Sequence, residues 1–263
     1  MHVILHASVS GWGRFSSQFL GPTSSSGGSE AMPKSTLTWL LKSFRTSISG
    51  TKRHHSNNSV WEYYEHENTY QRSETDSKRE FVAQYVRRKQ PIELLDLGCN
   101  TGSYTELALM EGIDRAIGID FDVAAIERGV TRADDGKLNL LPLVIDAMNP
   151  SPSQGWGQSE WLGFKDRFTV EGLLALAFVH HIVIGRNVPI ERAVEWIVSF
   201  APSGVIEFVP KSDPMVQRML ANRVDIFLTY DIATFRRELS LHAAIIAELV
   251  LPNSGRTLFE FQR

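Results

Sequence analysis

Leu94-Leu-Asp-Leu-Gly-Cys-Asn-Thr-Gly102 reads as a buried strand that breaks into a glycine-punctuated turn. A helix is expected directly after it. Ser103 and Glu106 have capping-box spacing, in which the serine oxygen takes one free helix amide and the glutamate reaches back to another. Tyr104, Leu107 and Ala108 then share one helical face, so strand, turn and helix are specified within a short stretch. Glycine lets the backbone approach a ligand closely, and free amides at a helix start favour electron-rich groups. The stretch therefore reads as a ligand cradle.

The chain has 263 residues, 43% of them hydrophobic, which suits one full α/β domain plus an extension rather than two complete domains. A formal charge of -3 supplies no global basic field to draw in nucleic acid. The single cysteine, Cys99, leaves no internal disulfide framework. No apolar run approaches the roughly 18 residues of a membrane span, and the reading is a soluble, cytoplasmic protein.

Residues 1–59 differ from the rest. They are rich in serine and glycine, carry Glu30 as their one acid, and read as a poorly ordered extension. Within them Leu37, Leu40, Leu41 and Phe44 share a helical face, and Lys34, Lys42, Arg45, Lys52 and Arg53 supply positive charge. A targeting or membrane-surface segment and a mobile tail are the competing readings. From Val60 to Tyr70 aromatics crowd, either covering a pocket or packing on the outside of the domain that runs over 60–263.

Asp76 or Ser77 is expected to cap a helix bearing Phe81, Val82, Tyr85 and Val86 that ends before Pro91. After the first strand and helix, Arg115 to Asp120 is a second strand, followed by a helix around Val123 to Arg132 capped by Asp122. Leu138 to Asp146 is a third strand made irregular by Pro142. Leu173 to Val179, ending at His180 and His181, is bounded like a fourth strand buried on both faces. Asn187 and Pro189 open a helix, Val205 to Val209 is a fifth strand, Asp213-Pro214 starts a helix, and another runs from Asp231 to about His242. Ile245 to Leu251 and Thr257 to Phe261 are joined by a connector too short for a crossover, so they pair antiparallel. The sum is a mostly parallel α/β sheet with an antiparallel C-terminal strand.

In such a sheet ligands bind at the carboxyl ends of the strands. Polar residues recur there: Asp96, Asp120, Asp146, His180 with His181, and Glu207. Asp120, about two dozen residues beyond Asp96, has the separation at which a carboxylate reaches both hydroxyls of a ribose, which points to a nucleoside ligand. The turn is not G-x-G-x-x-G, and the acid two residues before its first glycine would repel a pyrophosphate while suiting a cationic ammonium group.

These residues resemble a class I S-adenosylmethionine-dependent methyltransferase, the likeness covering roughly Trp61 to the C-terminus. The resemblance implies a Rossmann-like, seven-stranded, mostly parallel sheet with helices on both faces and S-adenosyl-L-methionine as cofactor. It assigns Asp96, Gly98, Asn100 and Gly102 to the motif around the methionine moiety, Asp120 to the ribose with Phe121 beside the adenine, and Asp146 with Ala147 to the adenine amino group. The segments Phe178-Val-His-His181, Arg186-Asn-Val-Pro189 and Glu207-Phe-Val-Pro-Lys-Ser-Asp-Pro-Met-Val216 are similar to a bacterial subgroup that includes methyltransferase-like proteins linked to rhizobial nodulation. Two departures stand out. Asn100 replaces a more usual glycine, which asparagine's tolerance of left-handed backbone allows. The fourth strand lacks the Asp-Pro-Pro-Tyr or Asn-Pro-Pro-Tyr ending of amino-group methylating nucleic-acid enzymes, which argues against a base-methylating activity.

The acceptor expected is a small molecule, glycan or lipid-linked precursor, with oxygen slightly favoured over nitrogen. A protein or RNA acceptor docking through the basic N-terminal segment is the alternative, and a non-catalytic cofactor-binding scaffold a third. His180 and His181 fall where the acceptor should sit; either is a candidate general base, or a partner of the neighbouring loop. Glu207, Lys211 and Asp213 are substrate-binding candidates, Asp213 reading equally as a cap. Lys78 reads as solvated rather than cofactor-facing, and Cys99 as a small residue that fits its turn.

Overall fold

The structure, a computed structural model, describes residues 33–49 and 72–263. The chain divides into two units, Met1–His55 and Ser56–Arg263. In the first, helix α1 (Lys34–Ser49) leaves Leu37, Leu41 and Phe44 exposed and Leu40 half-buried. The aromatic stretch Val60 to Tyr70 lies outside the described residues.

The second unit runs α2 (Arg72–Lys89), β1 (Glu93–Leu97), α3 (Ser103–Met110), β2 (Arg115–Asp120), α4 (Val123–Gly136) and β3 (Leu140–Val144), then β4 (Gly172–Ala175), α5 (Val179–Arg186), α6 (Ile190–Val198) and β5 (Ser203–Phe208). It closes with α7 (Pro214–Leu220), α8 (Ile232–His242), β6 (Ala244–Val250) and β7 (Thr257–Gln262). The sheet order is β3-β2-β1-β4-β5-β7-β6. Every pairing from β3 to β5 is parallel, and β7 runs antiparallel to both β5 and β6.

Alternation along the strands feeds two cores. Leu94, Leu174, Val205 and Leu258 face Val82, Tyr85 and Val86 of α2 with Leu107 and Ala108 of α3. Leu95, Leu173, Ile206 and Phe259 face Ile182, Val194, Ile197, Phe235 and Leu239 of α5, α6 and α8. Helices thus cover both faces, which is why β1, β4 and β5 are buried along nearly their whole length. Pro142 sits inside β3, an edge strand where a missing amide costs no ladder bond on the open side.

Four local expectations are corrected. The capping box at Ser103 and Glu106 does not form: Gly102, at φ 82°, is the N-cap with no side-chain cap, and Glu106 pairs with Arg132. Its left-handed backbone brings the chain round without a serine oxygen. The helix before β1 already includes Arg72, so Asp76 and Ser77 lie inside it, and the Ser77 hydroxyl donates back to the Ser73 carbonyl. The fourth strand ends at Ala175, because Ala177 turns the chain at φ 49°, and His180 and His181 fall in the first turn of α5. Asn187 does not open α6. It closes α5 in the left-handed conformation that asparagine tolerates, and Pro189 caps α6.

Asp122, Asp213 and Asp231 do cap their helices. Asp122 Oδ1 accepts from the amides of Ala124 and Ala125 at 2.9 and 3.2 Å. Asp122→Ala should therefore lower stability by about 1 kcal/mol, read as a lower urea midpoint at unchanged slope. An unshifted midpoint would show that the cap contributes nothing.

Candidate functional site

The turn after β1 is built on backbone geometry that few residues allow. Gly98 (φ 74°), Asn100 (φ 51°) and Gly102 (φ 82°) are all left-handed. The Asn100 side chain secures its own turn by accepting from the Thr101 amide at 2.8 Å. At Gly98 a Cβ would come within 2.7 Å of the Phe178 ring, so this glycine is required by both conformation and contact. Cys99 is buried against Gly118, where a Cβ would meet its Sγ at 2.8 Å, consistent with a small residue chosen for fit.

Beside this turn a cavity of about 290 Å³ opens across the carboxyl ends of β1 to β4. Gly98, Asn100, Asp120, Phe121, Asp146, Ala147 and His181 line it, so seven of the ten residues assigned from the sequence to cofactor binding or catalysis converge on one space. Between the polar groups the wall is apolar, from Ile119, Ile145, Met148, Phe178 and Met219. Asp120 Oδ2 accepts from the Asn100 amide and Oδ1 from the Asp122 amide, both at 3.0 Å. That locks the second strand's end to the first turn. Asp146 accepts from the Met148 amide at 2.9 Å and pairs with Arg186 at 3.3 Å. Arg186 also lines the cavity; its sequence gave no sign of this beyond its place in a family-like segment.

The other three predicted residues lie outside the lining. Gly102 is buried at the start of α3. Asp96 is 2% exposed, with Oδ2 accepting from the Thr105 hydroxyl at 2.7 Å. Burial pushes its carboxyl up to about 7, against the pull of Thr105 and of Lys78. His180 is fully buried, and neither ring nitrogen has a hydrogen-bond partner. Its ring lies 4.1 Å from that of His181, the histidine that reaches the cavity. Burial pulls His181 down to about 4 and holds His180 well below its ordinary value, Arg256 adding to both.

Behind the cavity sits a charged cluster that sequence reasoning missed. Lys78, expected to be solvated, is 3% exposed and pairs with Glu207 at 2.6 Å. Arg256 pairs with Asp213 at 2.7 Å and approaches Glu207 at 3.7 Å, all three being buried. Glu207 and Asp213 are therefore occupied within the protein, and Lys211 pairs with Asp225 at 2.7 Å near the surface. Long-range pairing of this kind leaves no periodic signal in a sequence; Lys78 and Glu207 are 129 residues apart. Among the described residues no group of His, Cys, Asp and Glu could hold a metal ion, and no helix is long and apolar enough to cross a membrane.

No protein-family model matches the chain. It is 44% identical over 232 residues to nodulation protein NoeA of Rhizobium meliloti (strain 1021), covering 88% of this chain and 49% of that protein. The chain thus spans about half the length of the curated relative it matches. Among solved structures it is similar to N-methyltransferase NodS from Bradyrhizobium japonicum WM9 in complex with S-adenosyl-L-homocysteine, at TM-score 0.54 and 13% identity over 83% of this chain and 97% of that chain. It is also similar to the 16S rRNA methylase RmtB, at TM-score 0.51 and 12% identity over 88% of this chain and 84% of that chain. The architecture is the Rossmann-like class I methyltransferase fold, and the sequence is related to a nodulation protein.

Because the folded Asp96 carboxyl titrates near 7 and an unfolded one near 3.8, Asp96 stabilises the fold least above pH 7, and its penalty fades as pH falls towards 4. The depressed histidines act oppositely below their ordinary value, losing stability as pH falls. Asp96→Asn isolates the first effect, since an amide oxygen can still accept from Thr105. Relative to wild type, its melting temperature should rise between pH 5 and pH 8. A pH-independent difference would place the Asp96 titration elsewhere.

Proposed function

We propose that this protein is an S-adenosylmethionine-dependent methyltransferase whose methyl donor occupies the cavity beside Gly98. The observation that carries the reading is one space, about 290 Å³, bounded by Asp120 at the end of β2, Asp146 after β3 and the left-handed glycine turn after β1. The likeness of fold to a methyltransferase solved with S-adenosylhomocysteine supports it.

The residues present fit that ligand. The Asp120 oxygens accept from the Asn100 and Asp122 amides, and a carboxylate has lone pairs enough to accept from ribose hydroxyls as well. Phe121, 52% exposed, offers a flat face at the cavity rim for an adenine, and Asp146 with Ala147 stands beside it. The absence of a Cβ at Gly98 lets the Phe178 ring pack on its backbone, so that the two together form one wall of the cavity. Asp96 behind the turn is the carboxylate for an ammonium group, which would restore the charge that burial disfavours.

When bound, S-adenosylmethionine supplies a sulfonium methyl group for in-line displacement. The chain contributes orientation in an apolar pocket and a route for the acceptor's proton. His181, held neutral by burial, presents an imidazole to the cavity that can take that proton, and His180 packs directly behind it. A small-molecule or glycan hydroxyl or amine is the acceptor this arrangement suits. The formal charge of -3 favours it over nucleic acid.

Titration calorimetry should show binding of S-adenosylmethionine and S-adenosylhomocysteine but not of NAD, and Asp120→Ala should weaken it by about tenfold or more. At pH 7 binding should also release protons from Asp96, seen as a heat that varies with buffer ionisation enthalpy and is lost in Asp96→Asn. Absence of heat with either sulfur ligand, or tighter NAD binding, rejects the proposal.

A further inference from the structure

Lys78 lies on α2 and Glu207 on β5, and neither lines the cavity, yet their contact leads directly to it. A single oxygen, Glu207 Oε2, accepts from Lys78 Nζ at 2.6 Å and from the Ala177 amide at 2.7 Å. Ala177 is held at φ 49°, a conformation an alanine adopts only when its surroundings impose it. The next residue, Phe178, packs so closely on Gly98 that the site has no room for a Cβ. Ala177, Phe178 and Gly98 all line the cavity. Lys78 Nζ also lies 4.9 Å from the centroid of the Tyr104 ring, on the helix that follows the glycine turn.

We infer that Lys78 and Glu207 are positioning residues for the donor cavity: their buried ion pair holds the strained Ala177 turn, which sets Phe178 against the turn at Gly98. The inference rests on the reading of that cavity as the S-adenosylmethionine site. Arg256 makes the arrangement selective. It stands 3.7 Å from the other Glu207 oxygen, and Asp213 holds it at 2.7 Å. With Lys78 gone, Glu207 is drawn towards Arg256 and away from the Ala177 amide. A role limited to filling space would be met equally by an apolar side chain. A positioning role needs a cation at residue 78.

The test combines Lys78→Met, Lys78→Gln and Lys78→Arg in the full chain. Hydrogen exchange of the ligand-free protein should show the Ala177 amide exchanging about tenfold faster in Lys78→Met. The amides of Val205 and Ile206 in β5 should stay as protected as in wild type. S-adenosylhomocysteine affinity should fall about tenfold in Lys78→Met and return close to wild type in Lys78→Arg. If Lys78→Met does not fold, Lys78→Gln, which keeps a donor but not the charge, is read by the same criteria. Unchanged Ala177 exchange in a folded variant, or equal affinity in the Met and Arg variants, overturns the inference. If wild type fails to bind S-adenosylhomocysteine, the cofactor reading falls, while the exchange result still decides whether the pair holds the turn.

Discussion

Strands β1 and β4 lie side by side and parallel, yet the chain leaving β1 returns at β2 on one side while that leaving β4 returns at β5 on the other. No connection crosses the space between their carboxyl ends. A crevice is therefore a consequence of strand order, and such a crevice is where open sheets of this kind bind their ligands. What the sequence adds at that point is backbone that can be bent sharply on both sides: left-handed Gly98, Asn100 and Gly102 after β1, and left-handed Ala177 after β4. The two turns meet where Phe178 covers Gly98.

Electrostatics around the crevice follow one rule, that burial suppresses isolated charge. Asp96 is pushed up to about 7, and His180 and His181 are pushed down, each with desolvation as the largest cause. Buried charges are also held as neighbours, in the Lys78–Glu207 and Arg256–Asp213 pairs. Even there burial pulls Lys78 below its ordinary value while Glu207 works against it. A neutral imidazole facing the cavity and a carboxyl close to half-protonated behind the turn are thus properties of the dry setting. Neither depends on a ligand.

The fold was legible because each feature that fixes it is local. Apolar runs mark β1, β4 and β5, the Asp122, Asp213 and Asp231 caps mark helix starts, and the short connector after Val250 forces an antiparallel finish. The strand-end acids Asp120 and Asp146 were legible for the same reason, since topology alone sends them to one edge. Misreadings arose where local signals compete. Ser103 and Glu106 have the spacing of a capping box, but the turn already demands a left-handed residue at Gly102, which takes the cap position first. The apolar run to Val179 hides a strand end, because Ala177 bears no mark of its left-handed conformation. Arg256 and Lys78 were invisible as partners, since nothing in a linear chain brings residues of α2, β5 and the turn before β7 together.

Two of the residues lining the cavity are left-handed without being glycine, Asn100 and Ala177, and they bring out the cost structure of the site. Asparagine visits this region readily, and its side chain compensates by accepting from Thr101. Alanine has no such means, and the conformation costs it about 1–2 kcal/mol. The compensation has to come from outside, and what meets the Ala177 amide is a carboxylate at 0% exposure. A buried carboxylate that stays charged is stabilised by a cation against it, because unpaired charge in the interior costs several kcal/mol, on the order of 3–5 when one partner of a buried pair is removed. Lys78 and Arg256 are thus consequences of the turn geometry. A strained backbone position beside the cavity requires a buried acceptor, the acceptor is stabilised by cations, and the cations require α2 and the turn before β7 to pack where they do.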